Sequence, residues 1–370
     1  MTLSENAFAV LGATPCDNRR ILNQKADEAA LLGGGDTEAA LNQLMQMNRR
    51  IAAELRWFPA SSPEAADNFL SYARALAEGR QACVPPMLGL GSTLAQANAL
   101  AALFEIWPAM QKELFIGLCR ALDAILSRVN VEETLRAINA DRTAGGWETI
   151  PDVPTLLGPL NERLRELCAP AAQAAAKLDK SIAATTMKEL FGPGGIDVQG
   201  NVAEAVSNAY AMRIHEKAEK YSQAIHRQMD EMRAANRANA GSLVSLRSTV
   251  ETWCSLTAPL RMRPGEARNE AKSIALGIRN LIVDYVNKSE PVQKTKKVNI
   301  PIFNGYKTIT IQYKSQRDYV DRALQLSVWL TNAFPEQDEL RACLSDDIRT
   351  LNEILRKEEL MLANAEANAR

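Results

Sequence analysis

From Val206 the apolar positions run Tyr210, Ile214, Ala218, Tyr221, Ile225, Met229 and Met232, in steps of three and four. That spacing keeps them on one stripe of an α-helix; a strand would need apolar residues at every second position. Gly200-Asn201 reads as the start and Asn239-Ala240-Gly241 as the stop, which predicts a helix near 202–238. At 1.5 Å per residue it is about 50 Å long, more than a compact domain needs. A helical hairpin, an elongated bundle or a coiled-coil arm is expected.

Most of the remaining sequence has the same period. Leu340, Leu344, Ile348, Leu351, Leu355 and Leu362 form a second stripe after Pro335, preceded by a helix over Gln316–Asn332 with Tyr319, Ala323, Leu326 and Leu330 on one face. The two read as an antiparallel pair joined near Phe334-Pro335. Further helices are predicted at Pro63–Glu78, Ser92–Ile106, Pro108–Arg128, Val131–Asn139, Val153–Ala169 and Ala171–Phe191. The breaks fall at Pro85-Pro86, Trp107-Pro108, Gly145-Gly146, the Gly192–Gly195 run, Pro259 and Pro264-Gly265. Few aromatics (5%) and abundant alanine fit helix-on-helix packing. No repeat of fixed period is present.

Lys296–Tyr313 departs from this pattern. Two β-rich runs flank Asn304-Gly305, the preferred two-residue hairpin turn. Setting Phe303 opposite Tyr306 puts Ile302 opposite Lys307, Ile300 opposite Ile309 and Val298 opposite Ile311. That gathers five β-branched residues on one face, which must pack on helices because an isolated hairpin is marginal. Pro301 within the run implies an edge strand.

Composition narrows the chemistry. The 370 residues carry a net charge of −1, 46% hydrophobic and 24% charged residues, and only two histidines, His215 and His226. These values exclude a disordered, collagenous or generally polybasic chain. Imidazole is the commonest general base and metal ligand near neutrality, so triad and zinc chemistries have little to draw on. On one helix the two histidines stand about 16 Å apart, too far to share an ion with Glu219. Six scattered cysteines form neither a disulfide framework nor a zinc motif, and read as reduced thiols. The Gly192–Gly195 and Gly89–Ser92 stretches lack the context of a phosphate loop, and Trp57-Phe58-Pro59 reads as a core plug. No cofactor and no metal site is expected. With no signal peptide and no transmembrane run, the expected location is cytoplasmic.

The first 60 residues have a logic of their own. Ala7–Leu11 ends at Gly12; Thr14-Pro15 reads as a cap with proline at the first helical position; and a helix follows through Ile21, Leu22, Ala26 and Ala29 to Leu31-Leu32. Gly33-Gly34-Gly35 interrupts it, and Asp36-Thr37 caps a second long helix running to Leu55. The opening Phe8–Thr14, the helix after Asp17-Asn18 and the stretch Ala40–Leu55 resemble the J-domain of Hsp70 co-chaperones. The resemblance spans residues 3–60. It implies two antiparallel helices fronted by a short one, and an Hsp70-like partner met by Arg19, Arg20, Lys25 and Asp36. The family's His-Pro-Asp trigger is replaced by Gly33-Gly34-Gly35-Asp36, and Asp17, Asp27 and Glu28 offset the basic residues of the docking helix.

The expected fold is therefore all-α: a multi-helix bundle with long helices, a J-like segment at 1–60, a helical domain at 61–290, and a β-hairpin plus helical hairpin at 291–370. The leading functional expectation is a non-enzymatic co-chaperone-like or adaptor protein that binds a protein partner. Two alternatives are a coiled-coil assembly protein, self-associating through its long helices, and a nucleic-acid-associated protein. In the last, Lys294, Lys296, Lys297 and Lys307, near Tyr306 and Tyr313, would meet phosphates and bases. Lysines also protect sheet edges, so nucleic acid is not the leading partner, and no membrane partner is expected.

Overall fold

The computed structural model describes residues 3–33, 36–79, 89–106, 111–192, 195–197, 199–235, 240–303 and 305–368. Among the described residues the chain is mostly helical (76%) with one two-stranded antiparallel hairpin. It forms two compact units, Met1–Arg213 and Ile214–Arg370. The expected 1–60 segment lies wholly within the first and the 291–370 segment wholly within the second.

The first unit begins with α1 (Ala7–Leu11), α2 (Arg19–Leu31), α3 (Thr37–Met45) and α4 (Met47–Leu55). Asn6 caps α1, whose end turns at Gly12 in the left-handed conformation (φ 57°) that glycine adopts without strain. The cap of α2 is Asn18, which accepts from Ile21 N at 3.0 Å, not Thr14-Pro15. Thr14 and Asp17 instead close a turn, Thr14 N donating to Asp17 Oδ2 and Asp17 N to Thr14 O. Asp36 caps α3 as expected, but the second long helix is broken, because Gln46 is extended (φ −97°, ψ 123°). The break frees the Leu44 carbonyl, which Arg50 of α4 reaches with Nη1 at 3.4 Å.

Then follow α5 (Pro63–Ala77), α6 (Thr93–Ile106), α7 (Lys112–Leu126), α8 (Val131–Ala144), α9 (Val153–Glu166), α10 (Ala169–Lys177) and α11 (Lys180–Leu190). The single helix expected over Ala171–Phe191 is two, because Leu178 turns out of the helix (ψ 145°) and buries its side chain. The expected breaks at Pro85-Pro86, Trp107-Pro108 and Pro193-Gly194 lie outside the described residues. A chain of rings runs through the core, with Phe8 to Trp57 at 5.9 Å, Trp57 to Phe58 at 5.1 Å and Phe58 to Phe69 at 5.4 Å. Trp57 and Phe58 are thus the core plug that their size favours.

The turn after α4 is clamped from three directions. Asn98 Nδ2 donates to Leu55 O at 3.0 Å, and Ser92 Oγ to Pro59 O at 2.8 Å. Ala60, at φ 56°, costs about 1–2 kcal/mol for a residue with a Cβ; its N–H donates to Asp141 Oδ2 at 2.9 Å. Gly91 passes so close that a Cβ there would stand 1.7 Å from the Ala60 carbonyl oxygen.

A carboxylate between two guanidiniums joins α4 to α8. Arg50, Glu54 and Arg142 are all buried. Arg50 Nε donates to Glu54 Oε1 at 2.8 Å, and Arg142 Nε donates to Glu54 Oε2 at 2.9 Å. Arg142 Nη2 also lies 2.9 Å from Oε2, out of line for a hydrogen bond. Two further donors are taken up by carbonyls: Arg50 Nη2 by Pro15 O at 2.9 Å and Arg142 Nη1 by Glu148 O at 2.9 Å. The Arg50 guanidinium lies 3.7 Å from the centre of the Trp147 ring.

The helix α12 (Asn201–Ala234) provides its first part to the first unit and the rest to the second. The second unit continues with α13 (Ala240–Arg261), α14 (Glu266–Asn287), strands β1 (Val292–Ile302) and β2 (Gly305–Ser315), α15 (Arg317–Ala333) and α16 (Asp338–Asn368). Pro259 lies inside α13 and does not divide it; Gly265 precedes α14. Ile225, Met229 and Met232 of α12 are buried in one core with Trp253, Ile278, Leu326 and Leu344.

The hairpin register differs from expectation by two residues. Val298 pairs with Ile309, Ile300 with Lys307, Pro301 with Tyr306 and Ile302 with Gly305, so Gly305 enters the ladder; Asn304 lies outside the described residues. A slip of two preserves side-chain parity, and the apolar face stays together. Val298 is buried, and Ile300, Ile309 and Ile311 are half-buried.

Removing Glu54 leaves two buried cations facing each other, and breaking such a buried pair costs about 3–5 kcal/mol. Glu54→Ala is expected to lower unfolding free energy by that amount in urea titration, whereas Glu231→Ala, at an exposed site, stays within about 0.5 kcal/mol.

Candidate functional site

The residues implied by the J-like resemblance have uneven roles. Lys25 Nζ donates to Gly12 O at 2.7 Å and to Asp17 Oδ2 at 2.9 Å, so it fastens the 12–17 loop to α2. Asp36 accepts from Ala39 N at 3.0 Å as the α3 cap. The Arg19 guanidinium sits 5.4 Å from the Trp147 ring centre, and Trp147 Nε1 donates to Asp17 O at 2.7 Å. Arg20 is exposed. Gly34 and Gly35 lie outside the described residues.

Helix α2 is attached more narrowly than its apolar spacing implies. Of its residues only Leu22 and Ala26 are buried. Leu31 and Leu32, at its end, are each 87% exposed. Three helical turns separate Arg20 from Leu31 and Ile21 from Leu32, so these side chains fall on adjoining lines of one outer face. The signal was available in Leu31-Leu32 beside the glycines, where no buried stripe continues.

The hairpin lysines also divide. Lys294 is 2.8 Å from Asp318, and Lys296 pairs with Glu366. Lys297 and Lys307 are exposed and have no ion-pair partner among the described residues.

Several constellations with catalytic residue types are arranged for structure. His226 Nε2 lies 2.8 Å from Glu270 Oε1, and Ser222 Oγ donates to the same oxygen. The serine and the imidazole thus meet one carboxylate instead of each other, whereas a nucleophile needs its base within hydrogen-bond reach. His226 is thereby tied to Glu270, whereas His215 is solvated, with Glu219 at 3.5 Å. Burial, with Asp141 nearby, pushes the Cys16 thiol up to about 11, far from the low values of reactive thiolates. Burial pushes Cys168 and Cys254 up to about 11 as well, and Cys83 lies outside the described residues. A cleft of about 230 Å³ is lined by Arg56, Asn98, Glu105, Arg163, Glu166 and Gln173. Glu166 accepts from Arg56 Nε at 3.0 Å and from Arg163 Nη1 at 3.1 Å, and Asn98 Oδ1 from Arg163 Nη2 at 2.9 Å, so the cleft's guanidiniums are already matched. Among the described residues no group of three His, Cys, Asp or Glu is placed to hold a metal ion, and no helix is long and apolar enough to cross a membrane.

Comparison with family models, with curated proteins and with solved structures yields no match to the chain.

Asp141 provides a test of the clamp on the Ala60 turn. Burial, more than its hydrogen bonds from Ala60 and Cys16, sets the carboxyl above its ordinary 3.8. The folded protein therefore binds this proton more tightly than the unfolded chain. The stabilising contribution is complete below about 3.8 and is lost as pH rises through the raised folded value. Asp141→Asn cannot ionise, so its stability relative to the parent is expected to be greater at pH 7 than at pH 4, measured by urea unfolding at both.

Proposed function

We propose that the chain is a protein-binding adaptor of the co-chaperone type, acting through the outer face of α2 and its C-terminal end. The observation that carries this reading is the pair Leu31 and Leu32, each 87% exposed on a helix that buries only Leu22 and Ala26. Covering one leucine contributes about 1.5–3 kcal/mol, and the adjoining Arg20 adds a directional charge. The J-like spacing of residues 3–60 makes an Hsp70-like chaperone the favoured partner. Lys25 and Asp36 support the surface by fixing the loop and the cap, and Arg20, Leu31 and Leu32 form the contact. The reading is one of binding and not catalysis, because Ser222, His226, Arg56 and Arg163 are engaged within the fold.

A coiled-coil assembly function has less support, since the stripe of Ile225, Met229 and Met232 is buried in its own unit. The test is calorimetric titration of an Hsp70 from the same source. Leu31→Asp/Leu32→Asp is expected to weaken binding at least 100-fold with the melting temperature unchanged, and Arg20→Glu about tenfold. The same affinity for the parent and the double variant would refute the reading.

A further inference from the structure

The alternation of the hairpin sorts its side chains into two faces. One face carries Lys294, Lys296, Val298 and Ile300 on β1 and Lys307, Ile309 and Ile311 on β2, with Val298 buried and Lys294 and Lys296 in ion pairs. The opposite face carries Gln293, Thr295, Lys297 and Asn299 on β1 and Thr308, Thr310, Gln312 and Lys314 on β2, all exposed. No acidic residue occurs between Pro291 and Gln316, although the whole chain has a net charge of −1. Two cross-strand hydrogen bonds order this outer face: Thr308 Oγ1 donates to Asn299 Oδ1 at 2.7 Å and Gln293 Nε2 to Gln312 Oε1 at 3.1 Å. Asn299 accepts through Oδ1, which leaves its Nδ2 hydrogens for an outside acceptor. The exposed Tyr306 and Phe303 stand at the tip, beside Lys307.

We propose that this outer face is a binding surface for duplex DNA, a function separate from the α2 surface. Three properties converge on that ligand. A two-stranded ribbon fits the major groove of B-form DNA, about 12 Å wide, whereas the major groove of an RNA helix is too narrow and deep for side chains to read. Lysine, threonine, asparagine and glutamine are the side chains that bond to phosphates and base edges there. The ribbon's positive charge without acidic neighbours along its strands complements the backbone. The outer face between the strand ends bears no large apolar residue except at the tip, which favours a hydrogen-bonding ligand over a lipid surface. The structure therefore transfers the phosphate-contact role from Lys294, Lys296 and Lys307, which stand on the other face, to Lys297 and Lys314.

The test is fluorescence anisotropy of the full chain with a labelled 20-base-pair duplex at 50 mM salt, followed by a salt series. Binding is expected, with log affinity falling about twofold as steeply as log salt rises, close to one phosphate per outer-face lysine. Lys297→Glu/Lys314→Glu is expected to weaken binding at least tenfold and to lower the slope by about two. Lys297→Arg/Lys314→Arg retains binding, which separates loss of charge from loss of fold. Circular dichroism should be the same for all variants because both positions are exposed. The proposal is overturned by absence of binding at 50 mM salt, by equal affinity of the charge-reversed variant, or by preference for single-stranded RNA or phosphatidylserine vesicles over the duplex.

Discussion

A buried carboxylate held between two guanidiniums organises the first unit. Glu54, 1% exposed, accepts from Arg50 on its own helix and from Arg142 on α8. Charges taken out of water require nearly complete pairing, and the local structure supplies it. The break at Gln46 exposes the Leu44 carbonyl to Arg50, the 12–17 loop offers Pro15 O, and Trp147 covers the Arg50 guanidinium. Trp147 in turn holds Asp17. The next residue to Arg142, Asp141, captures the strained Ala60 turn. The N-terminal helices and α8 are thus tied through one polar centre, and the loop ahead of α2 is positioned from α8 as well as from within its own segment.

This arrangement bears on function by distributing the charged residues. Arg56 and Arg163 meet Glu166, His226 and Ser222 meet Glu270, and Arg279 grips Asp347 at 2.6 and 2.8 Å. Groups with catalytic potential serve to fix one helix against another. Two outward surfaces are of a different kind: a leucine pair at the end of a narrowly anchored helix, and a ribbon face of lysine, threonine and amide side chains. Both are the surfaces proposed above to meet large partners.

The helical class, the hairpin and most helix limits were legible because they depend on local periodicity and caps; Asp36, Gly12 and Pro63 sit where such signals place them. The broken helices were not legible. Apolar spacing continues through Gln46 and Leu178, and the reasons for the breaks, an arginine reaching back and a leucine turning inward, are tertiary. The buried charge centre was hidden for the same reason, since Arg142 lies far along the chain from Arg50 and Glu54. The lysine sorting on the hairpin was within reach, because period-two alternation separates Lys294 and Lys296 from Lys297. Their acidic partners, Asp318 and Glu366, were not.

The central claim, that residues 3–60 fold as one body with α8 around Glu54, is most directly tested by native-state hydrogen exchange. Amides of α1, α4 and α8 should exchange through a common opening, with the same free energy and the same denaturant dependence. Exchange of α1 and α4 at a distinctly lower opening free energy than α8 would contradict it.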